Sequence, residues 1–234
     1  INMMAGREEA VLFPSKELVL TPVEGANREY EYMRISALSR ALSGDCSVIC
    51  GSIEAVMQPV IPPGVLTAAS LELKVGQEID LRQFAAELSR SGYQRCEKVE
   101  GASQFSIRGD ILDIFPVQAD RPIRAELFGD EVETMAEFDT DSQRRFDEHL
   151  DSVLISPASE ILYDSEELAD KIEALMKKVR GKHMEQVREH LGADVRRLRA
   201  GEILVHGQKY APLVYGEPTT VIDYISGNVL YSDH

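Results

Sequence analysis

Two arginines and a phenylalanine, Arg108, Arg124 and Phe128, are the residues whose types and spacing best support a chemical role in this chain. In PIRAELF, the period of two that strands follow places Arg124, Glu126 and Phe128 on one face, opposite an apolar face. In FSIR, the same rule places Arg108 on the polar face of an earlier strand. The sequence therefore predicts a polar sheet face that carries two guanidinium groups and one large apolar ring.

Such a face suits binding, because arginine makes charge-assisted hydrogen bonds and both arginine and aromatic residues are enriched in binding hot spots. An ordinary solvated sheet exterior gives the same pattern. On such an exterior an arginine pairs with Glu126, and a single exposed ring has no role. The pattern alone leaves both interpretations open.

A catalytic interpretation has little support. The sequence contains no GxxxxGKS/T or GxGxxG phosphate loop, no GxSxG nucleophile turn and no HExxH metal motif. The five histidines share no metal-ligand spacing and are His149, His183, His190, His206 and His234. The three cysteines, which suit a reducing compartment and buried positions, are Cys46, Cys50 and Cys96. We expect no catalytic residue, no metal and no cofactor in this chain.

The charge balance limits the partners. The 234 residues include 40 acidic and 25 basic side chains, a net charge of −15, which disfavours nonspecific binding to nucleic-acid phosphates. The largest basic cluster is interleaved with acids and lacks aromatic residues for base stacking, which favours a solvated helical face. It comprises Lys177, Lys178, Arg180, Lys182, Arg188, Arg196, Arg197 and Arg199. A DNA contact through this cluster is an alternative that predicts steep salt dependence.

No apolar run is long enough to cross a bilayer, and the first ten residues form no apolar signal core. A cytoplasmic location without a membrane partner is therefore expected.

Three segments differ in their periodicity. Residues 1–65 contain two short buried strands, AVLF and CSVIC, around a helical stretch, and close at an IPPGV break, which is typical of an α/β unit. Residues 66–156 contain one helix, capped by Asp80 and stopped by Gly92, and then a run of short strands that includes YQRCEKV. This second pattern predicts an α+β domain.

Residues 157–234 return to helical periodicity, with Ser165 as the predicted N-cap, and end in two apolar strands, TTVIDYI and NVLYSDH. Because α/β character resumes here, we predict an α/β fold with an inserted α+β domain.

The run FSIRGDILDIFP, followed by RAELFGDEVE, closely resembles the module shared by the transcription-repair coupling factor (Mfd) and the excision-repair helicase UvrB. FDTDSQR resembles the coupling-factor version. VLTPVEGANREYEYMRISALSRAL is short where a UvrB chain carries a long tyrosine-rich hairpin. The resemblance implies a fragment of the N-terminal UvrB-like region, with a partial domain 1a at 1–65, domain 2 at 66–156 and domain 1b at 157–234.

In that family domain 2 binds the repair protein UvrA, and the residues that carry the contact match Arg108, Arg124 and Phe128. The resemblance therefore implies a non-catalytic recruitment module. The ATP- and Mg²⁺-dependent motor and the RNA polymerase and DNA contacts would lie in other regions of the parent protein. A fragment of a UvrB-type damage-verification helicase is the alternative. Against it, Asp233 is followed by His234 where magnesium binding needs an Asp-Glu pair.

Overall fold

A computed structural model describes residues 9–16, 28–204 and 207–227, and the chain divides into two compact units. Unit 1 holds the described residues of 1–16, 28–160 and 219–234, and unit 2 holds those of 161–218. Both helices and sheets are present, as the sequence predicted. The two units do not coincide with the three segments expected from the sequence, and that three-part division stays a prediction.

Unit 1 contains every strand found in the described residues. They are β1 (Ala10–Phe13), β2 (Val48–Gly51), β3 (Leu71–Lys74), β4 (Gln94–Arg95), β5 (Gln104–Arg108), β6 (Ile111–Ile114), β7 (Ile123–Phe128), β8 (Glu131–Phe138), β9 (Arg145–His149) and β10 (Ser152–Ile155). Its α-helices are α1 (Glu29–Ser43), α2 (Ile53–Met57), α3 (Pro63–Ala69) and α4 (Leu81–Arg90).

The β1–α1–β2 segment is a parallel crossover unit, with Ala10 opposite Val48 and Phe13 opposite Gly51. The predicted CSVIC strand therefore begins and ends slightly later, at Val48–Gly51. The IPPGV segment is the start of α3 rather than a break. Proline suits this position because the first helical N–H groups have no intrahelical acceptor.

Helix α4 forms as predicted. The Asp80 carboxylate accepts hydrogen bonds from the backbone N–H groups of Arg82 and Gln83, at 2.8 and 3.0 Å. The helix buries Phe84, Ala85 and Leu88. Gly92 follows with φ of 91°, a left-handed conformation that glycine adopts without strain.

The centre of unit 1 is a six-stranded sheet in the order β4–β5–β6–β7–β8–β9, in which only the β4–β5 pair is parallel. Only Gln94–Arg95 of the predicted YQRCEKV strand pairs in it. Two hairpins each close through a two-residue Gly-Asp turn, Gly109-Asp110 between β5 and β6 and Gly129-Asp130 between β7 and β8. A separate antiparallel pair joins β3 to β10.

One face of this sheet is the core, and its central residues are fully or almost fully buried. They are Phe105, Leu112, Ile114, Ile123, Ala125, Leu127, Val132 and Met135. The register shifts between Glu126 and Leu127, which places Val132 opposite Leu127 and Met135 opposite Ala125. This β-bulge in β8 keeps both apolar side chains on the core face.

Unit 2 is helical, with α5 (Ser165–Lys178), α6 (Met184–Arg199), a 3₁₀ turn at Gly207–Tyr210 and α7 (Ala211–Tyr215). Its core comprises Leu168, Ala169, Ile172, Val195, Leu198, Leu204 and Tyr210. The cap of α5 is Asp164 rather than the predicted Ser165, since the Asp164 carboxylate accepts from the N–H groups of Glu166 and Glu167.

The prediction of a strand at TTVIDYI is wrong. Residues Val221–Tyr224 of unit 1 form a 3₁₀ turn with a capping box between Thr220 and Asp223. The predicted NVLYSDH strand lies outside the described residues. None of the helices in the described part of the chain is both long and apolar enough to cross a membrane.

Candidate protein-binding face

The three predicted residues lie on one face of the six-stranded sheet, opposite the core. Register pairs Asp113 with Arg124 across β6 and β7, and Arg108 with Ile111 across β5 and β6. Because paired residues and alternate residues point to the same side, Arg108, Arg124 and Phe128 share that side. We call the surface formed by Arg108, Asp113, Arg124, Glu126 and Phe128 the arginine face.

Two of these residues stand at the same end of the sheet. Arg108 is the last residue of β5 and Phe128 the last residue of β7, and each precedes a Gly-Asp turn. Both hairpin turns lie at one end because β5 and β7 run in the same direction on either side of β6. Two strand spacings, about 10 Å, separate β5 from β7, and Phe128 lies two residues beyond the level of Arg108.

A buried carboxylate joins the two arginines. The Asp113 side chain is 1% exposed, and its Oδ2 lies 2.6 Å from an Nη atom of Arg108. Its Oδ1 accepts from Nε of Arg124 at 2.6 Å, and Oδ2 accepts a second bond from Arg124 at 2.9 Å. The Arg124 contact is the bidentate fork that makes arginine–carboxylate pairs strong and directional.

Arg124 is held on several sides. Its guanidinium lies 4.6 Å from the centre of the buried Phe138 ring, and it also donates to the backbone carbonyl of Gln143 at 3.2 Å. Its hydrogen bonds to Asp113 raise its pKa above the usual arginine value, against the opposing effect of burial. With a side chain only 13% exposed, Arg124 is mostly part of the protein interior.

Arg108 and Phe128 are accessible. The Arg108 side chain is 48% exposed, and Phe128 is 81% exposed, the highest value among the large apolar residues of the described chain. An aromatic ring this open at a strand end gains little from folding, because most of its apolar surface stays in water.

Glu126 pairs with an arginine, as expected for a solvated sheet exterior, but that arginine is Arg145 and not Arg108 or Arg124. Arg145 of β9 lies 2.7 Å from a carboxylate oxygen of Glu126 and 3.3 Å from the hydroxyl of Thr134. Glu126 therefore neutralises Arg145, and Arg124 takes Asp113 as its carboxylate.

Sequence reasoning missed Asp113 and Phe138. Asp113 stands in the apolar run ILDIF, and a lone acid in a strand that is otherwise buried was the available signal. The dipeptides Gly109-Asp110 and Gly129-Asp130 both carry a turn signal in the sequence.

Two arginines of the basic cluster make contacts within unit 2. Arg188 donates to the carbonyls of Met176, in the last turn of α5, and of Val179, which follows the helix. Arg199 pairs with Glu166 and Asp170. Within the described residues, no three histidine, cysteine, aspartate or glutamate side chains come together as a metal site.

Comparison with known proteins identifies the family of this sheet. Residues 71–161 match the family model described as the UvrB interaction domain, and this range contains the whole arginine face. This segment of the chain belongs to the UvrB interaction domain family, as the sequence motifs predicted.

The chain is similar over most of its length to the transcription-repair-coupling factor of Bacillus subtilis, with 31% identity over 228 residues and 94% of the chain covered. It is also 41% identical to the transcription-repair-coupling factor of Myxococcus xanthus over 115 residues. This alignment covers 49% of the chain and 10% of the relative. Over 184 residues it is 33% identical to UvrABC system protein B of Thermosipho africanus, which covers 75% of the chain. The chain spans 19% of the Bacillus protein and 28% of the Thermosipho protein.

Proposed function

We propose that this chain is a non-catalytic recruitment module that binds the excision-repair protein UvrA through the arginine face and so couples stalled transcription to DNA repair. The observation that carries the proposal is the position of Arg108 and Phe128, which are exposed at one end of a sheet within the matched UvrB interaction domain. RNA polymerase, DNA and ATP would be bound by other regions of a longer parent protein.

The exposed residues differ in what they can offer a partner. Phe128 presents an apolar ring that would fill a pocket, and removal of most of its exposed surface from water would drive association. Arg108 keeps part of its guanidinium in solvent and would donate charge-assisted bonds to acidic or carbonyl groups of UvrA. Arg124 is mostly buried, so it would contribute mainly through its hydrogen bonds to Asp113 and less through direct contact with UvrA.

Calorimetric titration of purified UvrA with the chain and with Arg108→Ala, Arg124→Ala and Phe128→Ala variants tests the proposal. Each substitution is expected to weaken binding by about 1–3 kcal/mol, the usual range for a residue at the centre of an interface. Arg90→Ala is the control, because Arg90 is an exposed residue of α4 outside the arginine face. Unchanged affinity in all three variants would refute the assignment.

A second function is favoured by the similarity to UvrABC system protein B, which covers 75% of the chain. In that case the chain belongs to a UvrB-type helicase and takes part in ATP-driven damage verification. Titration of the chain with ATP and Mg²⁺ separates the two candidates. The recruitment proposal expects no nucleotide binding by this chain, whereas a helicase core expects saturable binding.

A further inference from the structure

We infer that Asp113 is a positioning residue for partner binding: a carboxylate that UvrA cannot touch sets the orientation of the guanidinium groups that form the arginine face. The inference rests on the proposed function and assigns a role to Asp113, a residue for which the family resemblance implied no contact with UvrA. It begins from the burial of Asp113, whose side chain is 1% exposed although it lies on the polar side of the sheet.

The two arginines depend on this one carboxylate. Both oxygens of Asp113 accept from Arg124, and Oδ2 also accepts from Arg108. Ser106, on the other side of Asp113 in the sheet, donates its hydroxyl hydrogen to the carbonyl of Glu97 and not to Asp113. Among the described residues, the two guanidinium groups are therefore the side-chain donors to Asp113.

The two arginines use the carboxylate differently. Arg124 has further contacts with Phe138 and Gln143 that fix its position without Asp113. For Arg108, the bond to Asp113 is the one side-chain hydrogen bond or ion pair found within the described residues. A long, half-exposed side chain with a single anchor loses that anchor when the carboxylate is removed, and it then samples several rotamers in solvent.

Charge strengthens the same argument. The cluster holds two positive groups and one negative group, so loss of the Asp113 charge leaves two like charges facing each other across β6, on β5 and β7. Repulsion between them drives the exposed Arg108, rather than the enclosed Arg124, away from its position. Binding then has to order Arg108 again, and the affinity falls even though Asp113 makes no contact with the partner.

The test is the Asp113→Asn variant, which keeps the side-chain size and removes the charge. Its affinity for UvrA is expected to fall about tenfold or more, the size of effect given by loss of one buried charge-assisted contact. Asp110→Asn is the matched control, because Asp110 undergoes the same charge change in the exposed turn next to Arg108. We expect less than about a threefold effect from the control, as for a charge at the interface rim.

A double-mutant cycle separates positioning from a general loss of structure. If Asp113 acts through Arg108, Asp113→Asn has little further effect in the Arg108→Ala background. An equal loss of affinity in both backgrounds would overturn the inference. Arg108→Lys tests the same claim without a change at the buried position: an oriented guanidinium predicts a loss close to that of Arg108→Ala, and full affinity in the lysine variant would contradict it.

A readout that needs no UvrA distinguishes failure of this inference from failure of the proposed function. An Nη–H group of Arg108 donates to Asp113, so its NMR resonance is expected to be shifted and slow to exchange in the free chain, and to lose both properties in Asp113→Asn. An unchanged resonance would overturn the positioning role. Protected resonances in a chain that does not bind UvrA would overturn the proposed function and, with it, the link from Asp113 to binding.

Discussion

Arg34 and Arg108 both donate to a buried carboxylate in unit 1, yet one guanidinium is fully enclosed and the other is half exposed. The Arg34 side chain is 0% exposed, and its partner Glu160 is 1% exposed. Arg108 is 48% exposed above an Asp113 that is as buried as Glu160. The two clusters therefore share their chemistry and differ in depth.

The enclosed cluster uses all three guanidinium nitrogens of Arg34. Nε donates to Glu160 at 2.7 Å, one Nη atom donates to the Pro14 carbonyl at 2.9 Å, and the other lies 3.5 Å from the Pro59 carbonyl. The guanidinium also stacks 4.2 Å from the centre of the Phe13 ring. These contacts join strand, helix and loop segments that are far apart in the sequence.

A positive partner completes the compensation of charge. Lys16 lies 2.6 Å from Glu160 and 3.7 Å from Glu31, and Arg28 lies 3.2 Å from Glu31, so three cations, with Arg34, compensate two buried carboxylates. The Arg34 side chain is fully buried and cannot contact a partner protein. On the arginine face, by contrast, part of Arg108 and nearly all of Phe128 remain open. We conclude that depth decides whether an arginine–carboxylate cluster holds the fold or is available for recognition.

The largest expected effect comes from the enclosed cluster. Arg34→Ala leaves Glu160 buried with a weaker set of partners, and loss of one member of a buried ion pair costs about 3–5 kcal/mol of unfolding free energy. Urea unfolding followed by circular dichroism measures it. Arg40→Ala is the control on the same helix, since Arg40 is only partly buried, and we expect it to cost less than about 1 kcal/mol.

Arg124→Ala should lower both the unfolding free energy and the affinity for UvrA, because Arg124 is more buried than Arg108 and less buried than Arg34. Loss of its fork to Asp113 and of its stacking on Phe138 is expected to cost about 1–3 kcal/mol of unfolding free energy, in addition to the loss of UvrA affinity. The same urea series measures the first quantity and calorimetry the second. A variant as stable as the parent chain would show that Arg124 is less integrated than its contacts indicate.

Phe128→Ala should change the affinity for UvrA without changing the stability of the fold. Because the ring is 81% exposed, the unfolding free energy should change by less than about 0.5 kcal/mol, while UvrA affinity falls by about 1–3 kcal/mol. Leu154→Ala is a suitable control, as Leu154 is an exposed apolar residue of β10, outside the six-stranded sheet. Equal losses of affinity in the two variants would contradict a specific role for Phe128.

Acid should weaken the enclosed cluster. Burial alone would raise the pKa of Glu31, but Lys16, Arg28 and the N–H group of Glu160 together lower it below its ordinary value. A lowered folded-state pKa stabilises the fold above the unfolded-state pKa of about 4.3, and this contribution is lost as pH falls through the folded-state pKa. Glu31→Gln should therefore be less stable than the parent near neutral pH, and the difference should shrink in acid.

Urea unfolding at several pH values from about 7 to about 3 checks this, a range that spans the carboxylate pKa values. Glu29→Gln is the control, because Glu29 is exposed in the first turn of the same helix. A constant difference between the Glu31 variant and the parent across the whole range would show that Glu31 contributes through packing and not through its charge.

Local patterns in the sequence predicted much of the arginine face. Alternation along PIRAELF separates Arg124 and Phe128 from the core, and the Gly-Asp turn after Phe128 fixes the hairpin. These signals need only neighbouring residues. The role of Asp113 needs the order of the strands, because β6 must lie between β5 and β7 before one carboxylate can reach both arginines.

The burial of Arg34 is even further from what local sequence patterns can predict. Apolar residues at helical spacing do not predict that α1 also buries an arginine. Its burial depends on Glu160, which is 126 positions away, so no local pattern contains it. The 3₁₀ turn at Val221–Tyr224 replaced an expected strand for a local reason that was overlooked, the capping box between Thr220 and Asp223.

The most direct test of the difference between the two clusters is to measure UvrA affinity and unfolding free energy together for Arg108→Ala. We predict an affinity loss of about tenfold or more, with an unfolding free energy within about 1 kcal/mol of the parent chain. An unchanged affinity, or an affinity that falls only in proportion to the unfolded fraction, would contradict the claim that the half-exposed cluster serves recognition.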